Sequence, residues 1–391
     1  MISLTLADRL QHIDASPTLA LAAKAKALAK AGNPVLDFTA GEPDFPTPAH
    51  IKEAGIRAIQ ADETKYTPVA GIPELRAAVA ASVNRPRGTT YQPSQTVVTC
   101  GTKHALFNVF QAVCQPGDEV LVFSPYWVSF PALVHLSGAK PVMVATSEQD
   151  RFLPDPAAAR AALTPATKAV IVNSPSNPTG AVIDAERLKA IARLAIERDL
   201  VLVSDEIYDQ LVYPPARHAS ILQAAPEAAD RTILVGGVSK TYSMTGWRIG
   251  WAVGPQPWID AMINVQSHST SNPTSISQHA AVAALTGDQQ PLAHMLAEFQ
   301  RRRDRLVEGL NRLKPLRCLV PGGAFYAWCN VSGLGRPAQA VAAQWLEDVL
   351  VAVVPGEGFG APGFIRFSFA ASLDTIDEGL RRLADWLQKT A

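Results

Sequence analysis

A lysine lies in a polar turn just after an apolar run of strand length. The run TILVGG covers residues 232–237, Lys240 follows it, and Arg248 comes eight residues after the lysine. A lysine that forms an imine with a carbonyl compound must be partly unprotonated, which desolvation or a nearby cation achieves. Arg248 could supply that cation and could also hold a phosphate. Because most lysines are solvated surface residues, these residues alone leave Lys240 as either a surface side chain or the amine of a carbonyl reaction.

Polar side chains also end two other apolar runs. LVLVSDE contains Asp205, with Tyr208 three residues on, and KAVIVN leads into SPSNPTG, which contains Asn177. Asp205 shares a strand face with valines, where a carboxylate costs stability unless it has a partner. It is either the N-cap of a helix or a carboxylate that keeps a heteroaromatic nitrogen protonated. NPTG taken alone is a turn in any protein.

Two further runs end in groups that suit a phosphate and a flat ring. TVVTC leads into Gly101, Thr102 and Lys103, where a helix begins, and the amide groups at a helix start bind anions. EVLVF leads into SPYW, in which Trp127 offers a face for stacking. A phosphate cradle, a stacking ring, a carboxylate and an amine together predict pyridoxal 5′-phosphate as cofactor.

Apolar runs separated by helical segments indicate how these groups are positioned. Continuous apolar strands that alternate with helices predict a mostly parallel sheet buried on both faces, with ligands at the carboxyl ends of the strands. After residue 285 the pattern changes to a long amphipathic helix containing RRRDR, interpreted here as a solvated face. The strand-like segments AFYAW, VLVAVV and FIRFSF follow. The sequence therefore predicts an α/β fold, with a large domain before residue 285 and a smaller α+β domain after it.

An arginine lies within the last of these strand-like segments. In FIRFSF, Ile365 and Phe367 fall on one face of the strand and Arg366 on the other. The planar guanidinium suits a bidentate grip on a carboxylate. The residues leave Arg366 as either a structural ion-pair partner or a ligand for a bound carboxylate.

Composition and charge exclude several classes of function. The chain has 391 residues and a formal net charge of zero, with 35 basic and 35 acidic side chains, which argues against nucleic-acid binding and a polybasic membrane anchor. No apolar run is long enough to span a membrane. The four cysteines lack metal-ligand spacing, which predicts no metal site and reduced thiols in a cytoplasm. A glycine pattern at residues 358–363 precedes a strand instead of a helix, so a nicotinamide or flavin site is not expected there.

The chain resembles the class I aminotransferases, which are fold-type I pyridoxal-phosphate enzymes, and within them the bacterial branch of aspartate aminotransferases. The matching segments, in the family's order, are TAGEPDFPTP, KYTPVAGIPELR, CGTKHALFN, PGDEVLVFSPYWVSF, VNSPSNPTG, SDEIY, SKTYSMTGWRIGWAVGP and IRFSFA. SDEIY together with SKTYSMTGWRIG is highly specific. The resemblance implies a large domain at 46–285 around a mostly parallel seven-stranded sheet between helices. It implies a small α+β domain made of 1–45 and 286–391.

The resemblance also implies roles at the cofactor. Lys240 would bond the cofactor and act as the base, and Asp205 would pair with the pyridinium nitrogen. Tyr208 and Asn177 would hydrogen-bond to the phenolic oxygen, and Trp127 would stack on the ring; Lys240, Asp205 and Tyr208 are the implied catalytic residues. The residues implied around the phosphate are Gly101, Thr102, Lys103, Ser239, Arg248 and, from the other subunit of a homodimer with shared sites, Tyr66.

Roles at the substrate follow from the same resemblance. Arg366 would bind the α-carboxylate with Asn177 and the backbone of Gly41, beside Trp127. The better-known aspartate-specific branch reads the distal carboxylate with an arginine from the partner subunit. No arginine stands at residues 266–275 of this chain.

Departures from the family pattern bear on the distal carboxylate and the phosphate. In the branch that this chain resembles, the substrate's distal carboxylate is bound by a lysine, here Lys103, and by small hydroxyl residues, here Ser16 and Thr18. Gly237 stands where many relatives have a serine. One phosphate contact is therefore either missing or made by Ser239.

The implied reaction is amino transfer from an L-amino acid, foremost aspartate, to 2-oxoglutarate, in the cytoplasm. The alternatives are an aromatic amino acid or prephenate aminotransferase, a pyridoxal-phosphate β-lyase or synthase, and a non-enzymatic regulator carrying an aminotransferase-like domain. The regulator is disfavoured because the aminotransferase pattern begins near residue 12 and the charge is neutral.

Overall fold

Helices and strands alternate along the chain in the computed structural model, which describes residues 10, 13 and 17–390. The helices are α1 (Pro17–Lys30), α2 (Ala49–Gln60), α3 (Pro73–Arg87), α4 (Thr102–Val113), α5 (Ser129–Leu136), α6 (Pro156–Ala161), α7 (Ala185–Glu197), α8 (Ile221–Ala224), α9 (Gln256–Ser267), α10 (Ser275–Thr286), α11 (Gln290–Arg312), α12 (Ala338–Val349) and α13 (Leu373–Thr390). The strands are β1 (Leu36–Asp37), β2 (Thr96–Thr99), β3 (Glu119–Ser124), β4 (Lys140–Ala145), β5 (Thr167–Asn173), β6 (Val201–Asp205), β7 (Thr232–Gly237), β8 (Gly250–Val253), β9 (Arg317–Cys318), β10 (Tyr326–Asn330), β11 (Val351–Ala352), β12 (Val354–Pro355) and β13 (Phe364–Ser368).

Seven strands form one central sheet in the order β2-β8-β7-β6-β5-β3-β4. The neighbours from β7 to β4 pair in parallel, and β8 runs antiparallel to both of its neighbours. Every residue of β6 and β7 is buried, as expected where helices cover both faces of a sheet. The predicted α/β fold with a mostly parallel sheet is confirmed.

The edge strand β4 is missing from the elements predicted by residue pattern. Its sequence KPVMVA leaves Lys140, Met143 and Ala145 exposed, and it pairs only with β3. An edge strand has a solvated side, so it lacks the continuous apolar run that marks a central strand. The apolar runs described above do predict β2, β3, β5, β6 and β7, and IGWAVG at 249–254 is a further apolar run of strand length that predicts β8.

A smaller antiparallel sheet has the order β12-β13-β10-β9. Its register pairs Arg366 of β13 with Trp328 of β10, so both side chains lie on one face together with Tyr326. The segment VLVAVV, expected as a single strand, is divided. Leu350 ends α12 with φ 56°, β11 then pairs with β1, and β12 pairs with β13.

The RRRDR segment of α11 is not the solvated face that its charge suggests. Arg302 and Arg303 are only 8% and 6% exposed. Arg302 forms an ion pair with Asp44 at 2.8 Å, and the Arg303 guanidinium lies 4.8 Å from the centre of the Tyr213 ring. Ion pairing and an aromatic face offset the cost of burying these charges, so the expectation was wrong for these two residues.

Apolar cores cover both faces of the central sheet, and a further core joins the segment after β6 to the small sheet. This further core contains Tyr208 and Leu211 together with Phe325 and Tyr326. The carboxyl end of β6 is therefore held against β10. Among the described helices, none has the length and apolarity needed to cross a membrane.

Candidate active site

Lys240 lies in the loop after β7, at the carboxyl end of the central sheet. Its Nζ donates a hydrogen bond of 2.5 Å to the carbonyl oxygen of Gly41. Burial lowers the pKa of Lys240 to about 8, although the Glu42 carboxylate opposes this shift. The cations that add to the lowering are Arg366, Arg248 and Lys103. Lys240 is therefore a desolvated amine surrounded by positive charge, and not a solvated surface lysine.

Asp205 ends β6 and is 4% exposed. One of its oxygens accepts a 3.2 Å hydrogen bond from the Ile207 amide, and the other has no donor among the described residues. Burial raises the pKa of Asp205 to about 7; the Glu206 charge adds to this effect, and Lys240 opposes it. The amide bond is an Asx-type turn, yet no helix follows β6 directly. The helix-cap interpretation therefore fails, and Asp205 is a buried acid without a paired cation in the described chain.

Tyr208 follows Asp205 and contacts a tyrosine that sequence reasoning missed. The hydroxyls of Tyr208 and Tyr326 lie 3.1 Å apart, both side chains are buried, and their rings pack edge to face. Burial raises the pKa of both phenols. The one available signal was strand alternation, because Tyr326 shares a face of the small sheet with Arg366.

Gly101 and Arg248 lie together at the start of α4. Gly101 has φ 86°, and a side chain at this position would overlap the Arg248 guanidinium. Arg248 donates to the carbonyl oxygens of Thr245 at 2.8 Å and Cys100 at 3.3 Å, and no carboxylate of residues 17–390 pairs with it. An unpaired guanidinium beside the first amide groups of a helix suits a phosphate.

The departure at Gly237 has a steric basis. A Cβ at Gly237 would lie 2.6 Å from Thr102 Oγ1 and 3.0 Å from the Ile249 carbonyl oxygen. The Thr102 hydroxyl donates to the carbonyl oxygen of Gly236 at 2.8 Å, so its proton is already engaged. Ser239 is buried in the same loop, at 6% exposure. Thr102 thus replaces the volume of a side chain at 237, and its backbone amide remains for an anion.

Lys103 lies beside Trp127. The Lys103 Nζ is 5.1 Å from the centre of the Trp127 ring, and Trp127 packs edge to face on Phe130. Partial burial lowers the pKa of Lys103, and Arg248 lowers it further. The Lys103 ammonium thus lies near the Arg248 cation, with the face of the Trp127 ring beside it.

Arg366 is a buried guanidinium without a carboxylate. It is 6% exposed and donates to Asn177 Oδ1 at 2.9 Å and to the Thr39 carbonyl oxygen at 3.0 Å. Its Nε has no acceptor within the described chain, and its carbon Cζ lies 4.3 Å from the centre of the Tyr326 ring. Burial lowers the pKa of Arg366. An unpaired buried cation of this kind favours the carboxylate-ligand interpretation over the structural ion pair.

The structure brings nearly all the predicted site residues to one region. The carbonyl oxygen of Gly41 accepts a hydrogen bond from Lys240. An ideal Cβ built on Gly41 would lie 3.9 Å from the Tyr326 hydroxyl oxygen. Tyr66 is 92% exposed. Ser16 lies outside the described residues, as does the side chain of Thr18.

Sequence reasoning also missed a buried network of charges around Glu206, the residue after Asp205. Glu206 is 3% exposed, and Arg87 donates to its carboxylate at 2.7 Å and 3.1 Å. Arg87 also donates to Asp209 at 2.9 Å, and His218 Nε2 lies 3.1 Å from Glu206 Oε2. Burial would raise the pKa of Glu206, but Arg87 and His218 bring it down to about 2. No local pattern links Arg87 at the end of α3 to β6, so the sequence could not predict this ion pair.

Comparison with known proteins decides the family. The model of aminotransferases of class I and II matches residues 33–383. The chain belongs to that family. This aminotransferase is 44% identical to an aspartate aminotransferase of Geobacillus stearothermophilus, over 99% of this chain and 100% of the relative. It is 48% identical to an aspartate/prephenate aminotransferase of Thermus thermophilus, over 97% and 98% of the two chains.

A solved structure supports the same assignment. The aspartate aminotransferase of Thermus thermophilus, determined with maleate, superposes with a TM-score of 0.94 at 46% identity, covering 98% of this chain and 100% of that one. The resemblance found in the motifs is confirmed, and this aminotransferase uses pyridoxal 5′-phosphate.

The donor set of the site fits this cofactor. Asp205 offers a buried anion without a cation, Arg248 offers a cation without an anion, and Gly101 leaves room at a helix start. Lys240 offers an amine with a lowered pKa. These are the groups that a protonated pyridine, a phosphate and an aldehyde require.

Proposed function

We propose that this aminotransferase moves the amino group of L-aspartate to a 2-oxo acid, with 2-oxoglutarate as acceptor. Relatives at 44% and 48% identity bear the names aspartate and aspartate/prephenate aminotransferase. Lys103, beside Trp127, provides a cation for the distal carboxylate of a dicarboxylic substrate. The substrate is thus recognised through two carboxylates.

One observation carries the proposal: Lys240 lies among charges that lack partners within the described chain. The pKa of Lys240 is lowered by burial and by cations that include Arg366. The positive charge of Lys240 in turn opposes the rise in the pKa of Asp205. A carboxylate bound at Arg366 places the amino acid's Cα within the same cluster of groups as the lysine amine. This combination of amine, acid and carboxylate receptor suits proton transfer at Cα.

The proposed roles follow from these contacts. Pyridoxal phosphate, when bound, supplies an aldehyde that condenses with amines and a ring that accepts the electron pair left at Cα. Arg366 binds the α-carboxylate, and Asn177, which already accepts from Arg366, fixes the orientation of the guanidinium. With the cofactor bound, Lys240 as a free amine would take the proton from Cα and would return it at the cofactor carbon C4′. Asp205 as the anion holds the proton on the pyridine nitrogen.

Further residues are proposed to hold the cofactor in place. Tyr208 and Asn177 would hydrogen-bond to its phenolic oxygen, and Trp127 would stack on its ring. Around the phosphate we propose Arg248, Ser239, Gly101, the backbone of Thr102, and Lys103. Gly41 contributes its backbone to the substrate site; in the cofactor-free chain its carbonyl oxygen accepts a hydrogen bond from Lys240 Nζ.

A homodimer with shared sites is part of the proposal. Tyr66 is 92% exposed, and Ile56 and Ile59 of α2 are 52% and 53% exposed. Apolar groups this exposed suit an interface, across which Tyr66 would reach the phosphate of the other subunit. Sedimentation should give twice the 41.7 kDa chain mass, and Tyr66→Phe should weaken cofactor retention. A monomer with full activity would overturn this part.

The division into domains and the compartment are proposed as well. The apolar clusters around the central sheet are drawn from residues 51–284, within the proposed large domain at 46–285. The core of the small sheet comes largely from 295–386, within 286–391, which 1–45 would complete. The four free cysteines support a reducing cytoplasm.

Labelling of Lys240 tests the central claim. Borohydride reduction of the cofactor-loaded enzyme followed by peptide mapping should mark Lys240, and Lys240→Ala should lose transamination and the visible absorbance of the bound cofactor. Lys140→Ala, on the exposed edge strand β4, is the matched control and should keep both. A label on another lysine, or turnover by Lys240→Ala, would contradict the assignment.

A donor and acceptor screen tests the substrate. Aspartate with 2-oxoglutarate should give the highest kcat/KM, and Lys103→Met should lower it for aspartate more than for alanine, which lacks a distal carboxylate. Prephenate is the second candidate, because the Thermus thermophilus relative bears the name aspartate/prephenate aminotransferase. Release of ammonia without an acceptor oxo acid would indicate a lyase instead.

A further inference from the structure

Two phenols bridge the small sheet and the central sheet inside the site. Tyr326 comes from β10, Tyr208 from the segment after β6, and their hydroxyl oxygens lie 3.1 Å apart. Both residues are at most 3% exposed. Only one proton can lie between the two oxygens, so the other hydroxyl proton must point elsewhere.

The surroundings decide which phenol is the donor. The Arg366 guanidinium lies over the Tyr326 ring at 4.3 Å from its centre. A cation over the ring face withdraws electron density and makes this phenol the more acidic of the two. The more acidic hydroxyl is the better donor, and this favours Tyr326 as the donor and Tyr208 as the acceptor.

We propose that Tyr326 is a positioning residue for Tyr208: its hydroxyl donates to the Tyr208 oxygen and thereby directs the Tyr208 proton into the site, toward the phenolic oxygen of the cofactor. The inference rests on the proposed role of Tyr208. It adds a chain of contacts from the carboxylate receptor Arg366 through Tyr326 to Tyr208. It also explains why a tyrosine is buried where packing alone needs only a phenyl ring.

The pH dependence of the cofactor's visible absorbance reports on this contact. A donor at the phenolic oxygen stabilises its ionised form and lowers the pH midpoint of the spectral change. In Tyr326→Phe the Tyr208 hydroxyl loses its partner, so the midpoint should rise by about 0.4 to 1 pH unit, the size of one net hydrogen bond. The half-time of cofactor release should shorten in the same variant.

A double-mutant cycle separates positioning from a merely structural role. Tyr208→Phe should raise the midpoint at least as much as Tyr326→Phe, and the double variant should add nothing further. Tyr213→Phe is the matched control, because Tyr213 is also buried and its hydroxyl donates to the Ala324 carbonyl oxygen at 2.5 Å. It should lower thermal stability without moving the midpoint. An unchanged midpoint in Tyr326→Phe would overturn the proposal. So would a double variant in which Tyr326→Phe, added to Tyr208→Phe, shifts the midpoint as much as it does alone.

A second substitution separates the hydroxyl from the ring. Tyr326→Leu removes the aromatic face under Arg366 as well, so it should raise the KM for aspartate several-fold more than Tyr326→Phe does. If the loaded enzyme shows no cofactor spectrum at all, the proposed function itself fails. A normal spectrum and normal transamination with no midpoint shift would refute only the role of Tyr326.

Discussion

Replacing Arg366 by methionine should lower kcat/KM for aspartate by about 10²- to 10⁴-fold and yet change the stability of the cofactor-free protein little. The guanidinium is buried, with one side-chain acceptor on Asn177 and one backbone acceptor on Thr39. A buried ion costs several kcal/mol of desolvation. Its removal forfeits two charge-assisted hydrogen bonds of about 1.5–3 kcal/mol each and ring contacts worth about 1–2 kcal/mol. These contributions oppose one another, so we expect the free energy of unfolding to change less in Arg366→Met than in a variant that breaks a buried ion pair.

Arg302 provides the matched control, because it is equally buried but fully paired. It is 8% exposed against 6% for Arg366, and it pairs with Asp44 at 2.8 Å and Glu298 at 3.1 Å. Arg302→Met leaves both carboxylates without this cation. Because these carboxylates are 34% and 19% exposed, the loss should be about 1–3 kcal/mol, below the 3–5 kcal/mol typical of a fully buried pair.

Thermal unfolding of the cofactor-free proteins measures the difference between the two variants. A chain of this size loses on the order of 1 °C in Tm per kcal/mol, so Arg366→Met should unfold a few degrees above Arg302→Met. Kinetics should give the opposite order. Arg366→Met should lose about 10²- to 10⁴-fold in kcat/KM for aspartate, the worth of two charge-assisted hydrogen bonds, while Arg302→Met keeps most of it. If Arg366→Met were the less stable variant, the reasoning that Arg366 lacks a carboxylate would be refuted.

Arg87→Met should lower the free energy of unfolding by about 3–5 kcal/mol at pH 7, because Glu206 remains buried without its cation. Denaturant titrations between pH 3 and 7 should show this loss shrinking below about pH 4.5, since the pKa of Glu206 in the parent is about 2 and its stabilising contribution fades as pH falls toward that value. Gly237→Ser should weaken cofactor binding measured by titration, because its Cβ would press on Thr102 Oγ1 at 2.6 Å; tighter binding would show that the loop has room for a serine. Asp205→Asn should stabilise the cofactor-free protein by about 3–5 kcal/mol above pH 7 and by nothing near pH 4. The pKa of Asp205 is raised to about 7 in the folded chain, so its ionisation costs stability as pH rises through that range; a pH-independent difference would contradict this.

The central strands could be predicted because local sequence alone determines their signature. β6 and β7 are apolar throughout, since helices cover both faces. The strand β4 could not, because its exposure depends on lying at the sheet edge. The division of VLVAVV depends on pairing with β1 and β13, which are distant in sequence. Properties set by long-range pairing do not show in a local pattern.

The candidate site divides in the same way. Residue types and positions at strand ends predict Asp205 and Lys240, because the carboxyl ends of parallel strands converge. For Arg366 the sequence leaves two interpretations, since the absence of a carboxylate is a property of the folded surroundings. Tyr326 and Arg87 escape prediction because each acts through a partner on another element.

Buried charges in this protein fall into two groups that differ in their partners. Glu206 and Arg302 are paired with opposite charges and support the fold. Arg366 and Asp205 lack an ionic partner among the described residues, so each costs stability in the cofactor-free protein. A carboxylate at Arg366 and a protonated ring nitrogen at Asp205 would supply the missing opposite charges. Binding would then offset the desolvation cost of these two unpaired charges. Adding the cofactor and a carboxylate substrate should therefore raise the free energy of unfolding of the protein.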